Sequence, residues 1–362
     1  MAKVEYFPQF FKRTRPYLAE FVRKIMPSDT STKLAKPGSS FFYQAYLSEL
    51  EGCPGAPKPI RARIMREAQG GLAYGEWLRH GSILYDFDDT LIEALARSDP
   101  GEVRPADLHF PFDTMYIAFG SRHAIAFSNG AKVTGAFVLN TPGHSMRVVL
   151  TAPQPESTPW FDRHGEFFDT RILEAYWDCP IDEAIEKSLR DDQVDLERAL
   201  KTEADVTAAP EVRQQVDALL AHIDQNREAY RKAVQLIANG LCFITAYQGD
   251  IRDSWQPGTP QKWIDKATKG TSKETERARS KLNAMGYRRV LRVGGLFSQQ
   301  AAASPREATW RRGHWRNQAH GPAYSLRRVR WIRPVAVIGG APESDEARVY
   351  EVPDADRARS KA

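Results

Sequence analysis

The spacing of apolar residues changes several times along this chain, and each change predicts a different element. In residues 1–30, Phe7, Phe10, Phe11, Tyr17, Leu18, Phe21 and Val22 recur at helical intervals. They predict a basic amphipathic helix docked on the body. A membrane-surface helix is the weaker reading, because the pattern ends at Pro27 and a polar linker, Ser28 to Ser40. Residues 41–98 read as helical, with breaks at Gly52–Pro59 and Gly70-Gly71. Over 108–152 the period drops to two. LHFPFDTMYIAFG, HAIAFSNG, KVTGAFVLNT and SMRVVLTA are short apolar runs bounded by Gly, Asn or Pro. No helix-length segment separates them, so they predict an antiparallel meander. FFDTRILEAY extends that sheet or begins the next helix.

Helical spacing returns at 181–203, with Ile181, Ile185, Leu189, Leu196 and Leu200 on one face. Pro210 opens a longer helix, with Val212, Val216, Leu219, Leu220, Ile223, Tyr230, Val234, Ile237 and Leu241 in register. Residues 249–280 are polar and charged, and predict a surface connection with a short helix. YRRVLRVGGL (287–296) predicts a strand. TWRRGHWRNQAHGPAYSLRRVRWIRPVAV (309–337) predicts two strands around Gly321-Pro322. The fold class is α+β: a mostly antiparallel sheet with packed helices and a C-terminal basic β-hairpin. The expected divisions are a helical extension and linker (1–40), an α+β core (41–250), a charged connection (251–280), a basic β module (281–340) and a tail (341–362), in which ARVYEV (347–352) is a candidate edge strand.

Charge changes the picture at the carboxyl end. The net charge of +5 hides an asymmetry: residues 251–362 hold 23 basic and 11 acidic residues, and residues 1–250 hold 28 and 35. Between 301 and 340 eight arginines accompany one acid, Glu307. Like charges side by side on one sheet face repel, so this face either fans into water or meets an anionic partner. Cys53, Cys179 and Cys242 have no paired spacing and read as buried or free thiols of a reducing cytoplasm. No apolar run reaches the ~18–20 residues of a membrane span, and the N-terminus has no secretory pattern. A cytoplasmic protein is expected.

The sequence offers three candidate chemistries. Leu84–Leu91, LYDFDDTL, is similar to the first motif of haloacid dehalogenase phosphatases, with Asp86 as nucleophile and Asp88 as acid/base. Thr151, Gly249-Asp250 and Asp253 would complete it around Mg²⁺. That fold needs Asp86 at the end of a parallel strand, and the following meander argues against it. DFDD also reads as an acidic helix start. His144 and Ser145 lie in a turn with no orienting acid. The hairpin offers the third chemistry, a metal-independent ribonuclease built on His314, Arg316 and Tyr324, with Arg312, Gln318, His320 and Arg330 around it. Equally, it offers a plain binding surface of Arg311, Arg312, His314, Arg316, Gln318, Arg327, Arg328 and Arg330, anchored by Trp310, Trp315 and Trp331. No glycine-rich phosphate loop and no His/Cys cluster of metal spacing is present, so neither cofactor nor metal is expected.

RRGHW followed by RVRW, a proline and an apolar strand resembles the C-terminal module of a family carried by plasmids and phages that includes a type V-A anti-CRISPR protein. FPFDTMYIAFG, VTGAFVLNT and AVQLIANGLCFITAYQGDI are similar to further elements of that family, so the likeness covers about residues 80–340. The resemblance implies a binding protein rather than a conventional enzyme. It would recognise the N-terminal segment of a target protein as it is made and cause loss of the encoding mRNA. The meander would supply a groove for the peptide, and the arginine hairpin a surface for mRNA or ribosome. No membrane partner is implied.

Overall fold

The computed structural model describes residues 5–14, 16–28, 61–101, 103–120, 123–128, 130–141, 145–152, 172–176, 178–202, 210–302, 309–311, 313–332 and 335–337. Helices α1 (Phe7–Thr14) and α2 (Pro16–Ser28) precede α3 (Arg61–Arg79). Strand β1 (Leu84–Phe87) leads into α4 (Asp89–Ala96) and the two-residue β2 (Ser98–Asp99). The next strands are β3 (Thr114–Ala118), β4 (Gly135–Thr141), β5 (Ser145–Thr151) and β6 (Ile172–Tyr176). Helices α5 (Ile181–Thr202) and α6 (Pro210–Ala246) follow, then β7 (Ile251–Trp255), α7 (Gln261–Lys269), α8 (Ser272–Ala284), β8 (Arg289–Val293) and α9 (Gly295–Ala302). The chain continues through β9 (Thr309–Arg311), β10 (Gly313–His320), β11 (Leu326–Ile332) and β12 (Val335–Val337).

The main sheet has the order β6-β5-β4-β3-β1-β8-β7. Most neighbours are antiparallel, which is the α+β arrangement the patterning predicts. The period of two sorts side chains onto its two faces. Tyr85, Phe87, Met115, Ile117, Ala136, Val138, Met146, Val148 and Leu150 enter a core shared with α4, α5 and α6. Leu84, Tyr116, Ala118, Phe137, Val149 and Val290 enter a second core under α1, α2 and α3. The N-terminal aromatics therefore dock on the body. Phe7 and Phe11 are buried, Phe11 packs edge-on to Tyr74 at 4.8 Å, and Phe7 meets Phe137 at 6.4 Å. Gly135 is required where Tyr116 crosses it, because a Cβ there would stand 2.4 Å from the Ile117 carbonyl and 2.5 Å from the Tyr116 hydroxyl.

Three local expectations are corrected. The helical reading of 41–98 misses β1, whose LYDF is flanked on both sides by strands and lacks clean alternation. HAIAFSNG is not a sheet strand, and its pairing is one isolated bridge, Ala126↔Lys132. Ile125 and Phe127 are instead buried in the core, Phe127 against Tyr230 of α6 at 5.5 Å. Residues 249–280 hold the expected short helix, α7, but also edge strand β7 and the start of α8, so they are not merely a surface connection. An edge strand buries one side only, so Arg252 and Asp253 can be exposed while Trp255 packs with Trp263 over Ala267, Ala278 and Leu282. FFDTRILEAY extends the sheet through β6. The candidate strand 347–352 and Cys53 lie outside the described residues.

Because Phe11 is fully buried between the sheet and α3, Phe11→Ala should lower unfolding free energy by about 3–5 kcal/mol. Urea unfolding of the full chain measures this. A change below ~1 kcal/mol would mean that the N-terminal helices are an appendage rather than a layer of the fold.

Candidate functional site

Strands β10 and β11 form an antiparallel ribbon, paired from His314↔Ile332 to His320↔Leu326. At its root Trp315 stands opposite Trp331. Both are buried, and the rings stack at 5.9 Å with 18° between planes. Trp331 also packs on Phe297 at 5.5 Å and on Phe243 at 5.7 Å. A buried indole must place its N–H. Trp315 Nε1 donates to Asn239 Oδ1 (2.8 Å), and Trp331 Nε1 to Ser98 Oγ (3.1 Å). Asn239, fully buried in α6, donates in turn to the carbonyls of Leu95 and Ser98, each at 2.9 Å. β2 completes the root by pairing parallel to β10 at Gly313↔Ser98 and His314↔Asp99.

The opposite face is solvent-exposed at His314, Arg316 and Gln318. Its rungs are His314↔Ile332, Arg316↔Arg330, Gln318↔Arg328 and His320↔Leu326. Two arginines thus stand directly across from one another, an arrangement that costs the ribbon stability. Arg330 reaches Gln318 Oε1 at 3.5 Å. By register Arg328 is in phase with Arg316 and Arg330, whereas Arg327, opposite Ala319, is in phase with the tryptophans. Arg311 belongs to the separate β9–β12 pair, opposite Val335, and Trp310 lies there opposite Ala336. The expected single array of arginines is therefore divided by the pleat. Arg312 and the side chains of Trp310, Arg311, Arg327 and Arg328 lie outside the described residues.

At the tip, Ala323 (φ 50°) and Tyr324 (φ 56°) are both left-handed, a conformation costing roughly 1–2 kcal/mol per non-glycine residue. Tyr324 is 75% exposed and Leu326 53%. Tyr324 is not brought to His314. The six residues of β10 between them span about 20 Å, so His314, Arg316 and Tyr324 do not make one catalytic cluster.

The carboxylates of the phosphatase-like motif are placed differently from expectation. β1 lies between two parallel neighbours, β3 and β8, and not in a purely antiparallel context. The antiparallel signal came from the pairings within β3–β6, while β1 joins β3 in parallel and its other parallel partner, β8, is some 200 residues downstream. Even so, the acids are committed to structure. Asp88 caps α4, accepting the Thr90 amide (2.9 Å) and hydrogen-bonding the Ser298 hydroxyl. Asp250 caps α9, accepting the amides of Leu296 (2.7 Å) and Phe297 (3.0 Å). Asp253 pairs with Arg289. Thr151 is fully buried against the Tyr116 hydroxyl (2.9 Å). Asp86 faces the N-terminal layer, 3.6 Å from Arg292 and beside the buried Tyr6 hydroxyl. Among the described residues no group of three His, Cys, Asp or Glu is placed to hold a metal.

The fold and its exposed chemistry define an α+β protein carrying a cationic β-ribbon on a buried tryptophan pair. The family model described as AcrVA2-like, anti-CRISPR type V subtype A2 family, matches residues 85–339, and the chain belongs to that family. Among solved structures, the crystal structure of AcrVA2 is similar over 91% of this chain and 97% of that one, at 15% identity and a TM-score of 0.43. No curated protein matches the sequence. Among the described residues no helix is long and apolar enough to cross a membrane.

Sequence reading found the ribbon but missed Asn239. The available signal was a lone amide within the apolar helix stripe AVQLIANGLCFITA. Among the described residues, helices pack on both faces of the meander.

Two measurements probe these contacts. Trp331→Ala should cost about 3–5 kcal/mol in urea unfolding, whereas Arg316→Ala should leave stability unchanged or slightly raised. Burial, reinforced by Asp89 and Asp88, holds the Asp86 carboxyl above the ordinary range, against the opposing pull of Tyr6 and Arg292. The folded chain thus holds that proton more tightly than the unfolded chain. Asp86 then contributes stability below about pH 4, and this contribution is lost as pH rises through the folded value. Asp86→Asn should be more stable than the parent at pH 7, and the gap should close towards pH 4.

Proposed function

We propose that this chain is a counter-defence protein that recognises the N-terminal segment of a target protein during its synthesis and brings about loss of the encoding mRNA. Membership of the anti-CRISPR family supports the counter-defence role. The observation that carries the RNA-directed part is the ribbon. One face fixes Trp315 and Trp331 in the core, and the other carries the exposed Arg316 opposite the half-buried Arg330, with no acid in the chain between Glu307 and Glu343. Such a face meets phosphates of mRNA or ribosome. With the meander covered on both faces, the nascent peptide is left the sheet edges, β6 and β7, where backbone groups on one side have no strand partner among the described residues. The protein works where translation occurs, in the cytoplasm, and needs no cofactor.

The test is co-expression with candidate type V nuclease genes while following each mRNA. The target message should fall several-fold when its start codon is intact and stay constant when the codon is removed. A message that never falls overturns the reading. Purified chain given bare RNA in EDTA should leave it intact. Cleavage abolished by His314→Ala would instead make the ribbon a metal-independent endoribonuclease.

A further inference from the structure

We infer that the ribbon's tip and exposed face form a binding site for single-stranded RNA, with a base stacked on Tyr324 and the sugar–phosphate backbone running along Arg330 and Arg316. This rests on the RNA-directed part of the proposed function and names its partner class.

Three observations converge. The first is geometric. Rungs on one face of a β-ribbon recur about every 6.8 Å, comparable with the repeat of an extended sugar–phosphate backbone. The Arg316↔Arg330 rung sits between His314↔Ile332 and Gln318↔Arg328, so positively charged positions follow one another from root towards tip. The second is electrostatic. Arg330 has Gln318 as its polar partner, and neither it nor Arg316 has a carboxylate partner among the described residues. The ribbon therefore accepts a like-charge rung without internal neutralisation, and an anion laid along it would remove that repulsion.

The third observation is the tip. Residues 321–326 are all exposed. Tyr324 is held outwards by two consecutive left-handed residues rather than folded back on the ribbon. An outward aromatic at the tip, two rungs beyond the Arg316↔Arg330 rung on the same ribbon, is a combination that binds single strands, because every base has a π-face and stacking needs no paired partner. Leu326, also exposed and on the arginine face by register, adds apolar surface beside that ring. A double-stranded A-form helix would not use these features, since its bases are already stacked on one another and its deep groove admits no side chains. An acidic peptide would satisfy the arginines but leave Tyr324 without a role.

The experiment is fluorescence anisotropy of the full chain with a labelled oligoadenylate of about 12 nucleotides, over a range of salt. Binding should weaken linearly in log–log form with salt, and Arg316→Ala and Arg330→Ala should each lessen that slope by about one. Tyr324→Ala should weaken binding roughly 5- to 150-fold, while Tyr324→Phe, which keeps the ring, should bind as the parent. Thermal melts of each variant check that the root is intact. An equal affinity for duplex RNA, or an unchanged affinity in Tyr324→Ala, overturns the single-strand site. So does displacement by polyglutamate as effective as displacement by RNA, which would point to an acidic protein segment. If the target mRNA still falls in cells expressing Tyr324→Ala with Arg316→Glu, the RNA site is wrong and the proposed function survives. If RNA binds as described but no message falls, the reverse holds.

Discussion

The arrangement of the C-terminal third depends on two indole N–H groups finding acceptors in a buried place. Trp315 and Trp331 bury large apolar surfaces, but each carries one donor that burial would strand. Asn239 on α6 and Ser98 on β2 accept them, and Asn239 is itself anchored to the carbonyls that close α4. The acceptors come from separate elements, so satisfying both fixes the ribbon's position and its register. A slip by one residue would turn Arg316 and Arg330 into the core and the tryptophans into water. The outward cationic face is thus a consequence of the inward hydrogen bonds. An accumulation of like charge that a free hairpin would avoid is tolerated because the root outweighs it.

The same logic of two-sided burial organises the main sheet. Its strands alternate side chains into two separate cores, and each needs its own helical cover. One cover, α4 with α5 and α6, lies within the family's matched segment, 85–339. The other, α1 to α3, precedes it in the chain. Residues before 85 are therefore not dispensable ornament: Phe7, Phe11, Tyr74 and Trp77 occupy the face that Tyr116, Phe137 and Val149 present. What looks at sequence level like an extension is, physically, the second wall of the sandwich.

Elements whose burial is one-sided were legible in the sequence, because a single apolar face imposes a clear period. The amphipathic start of α5 and the tryptophan–arginine alternation of the ribbon read correctly. Strands β3 to β5, buried on both faces, were legible through the Gly, Asn and Pro that bound them, whereas β1 and β7 were not. β1 is enclosed by two parallel strands and lacks alternation, and β7 shows polar residues because it is an edge. The site was half legible for a related reason. Period two places Arg316 and Arg330 outwards, but the pairing register decides which arginines share that face, and it separates Arg327 from Arg328. Asn239 was hidden because its role depends on contacts 76, 141 and 144 residues away.

The acidic motif after β1 shows why local resemblance does not transfer chemistry. In open α/β sheets, ligands collect at the carboxyl ends of parallel strands, where helix N-termini offer unsatisfied amides. This chain has that geometry: β1 and β8 run parallel, and α4 and α9 start beside their ends. Yet both helix N-termini are occupied from within, α4 by Asp88 and α9 by Asp250. The Asp86 side chain points to the other face, under Tyr6 and Arg292. Carboxylates that could have held a metal instead stand where a ligand's phosphate would have sat. The amides of Thr90, Leu296 and Phe297 are thus already engaged by the chain's own acids. Among the described residues, the ribbon is where an arginine pair stands without a carboxylate partner on an outward face.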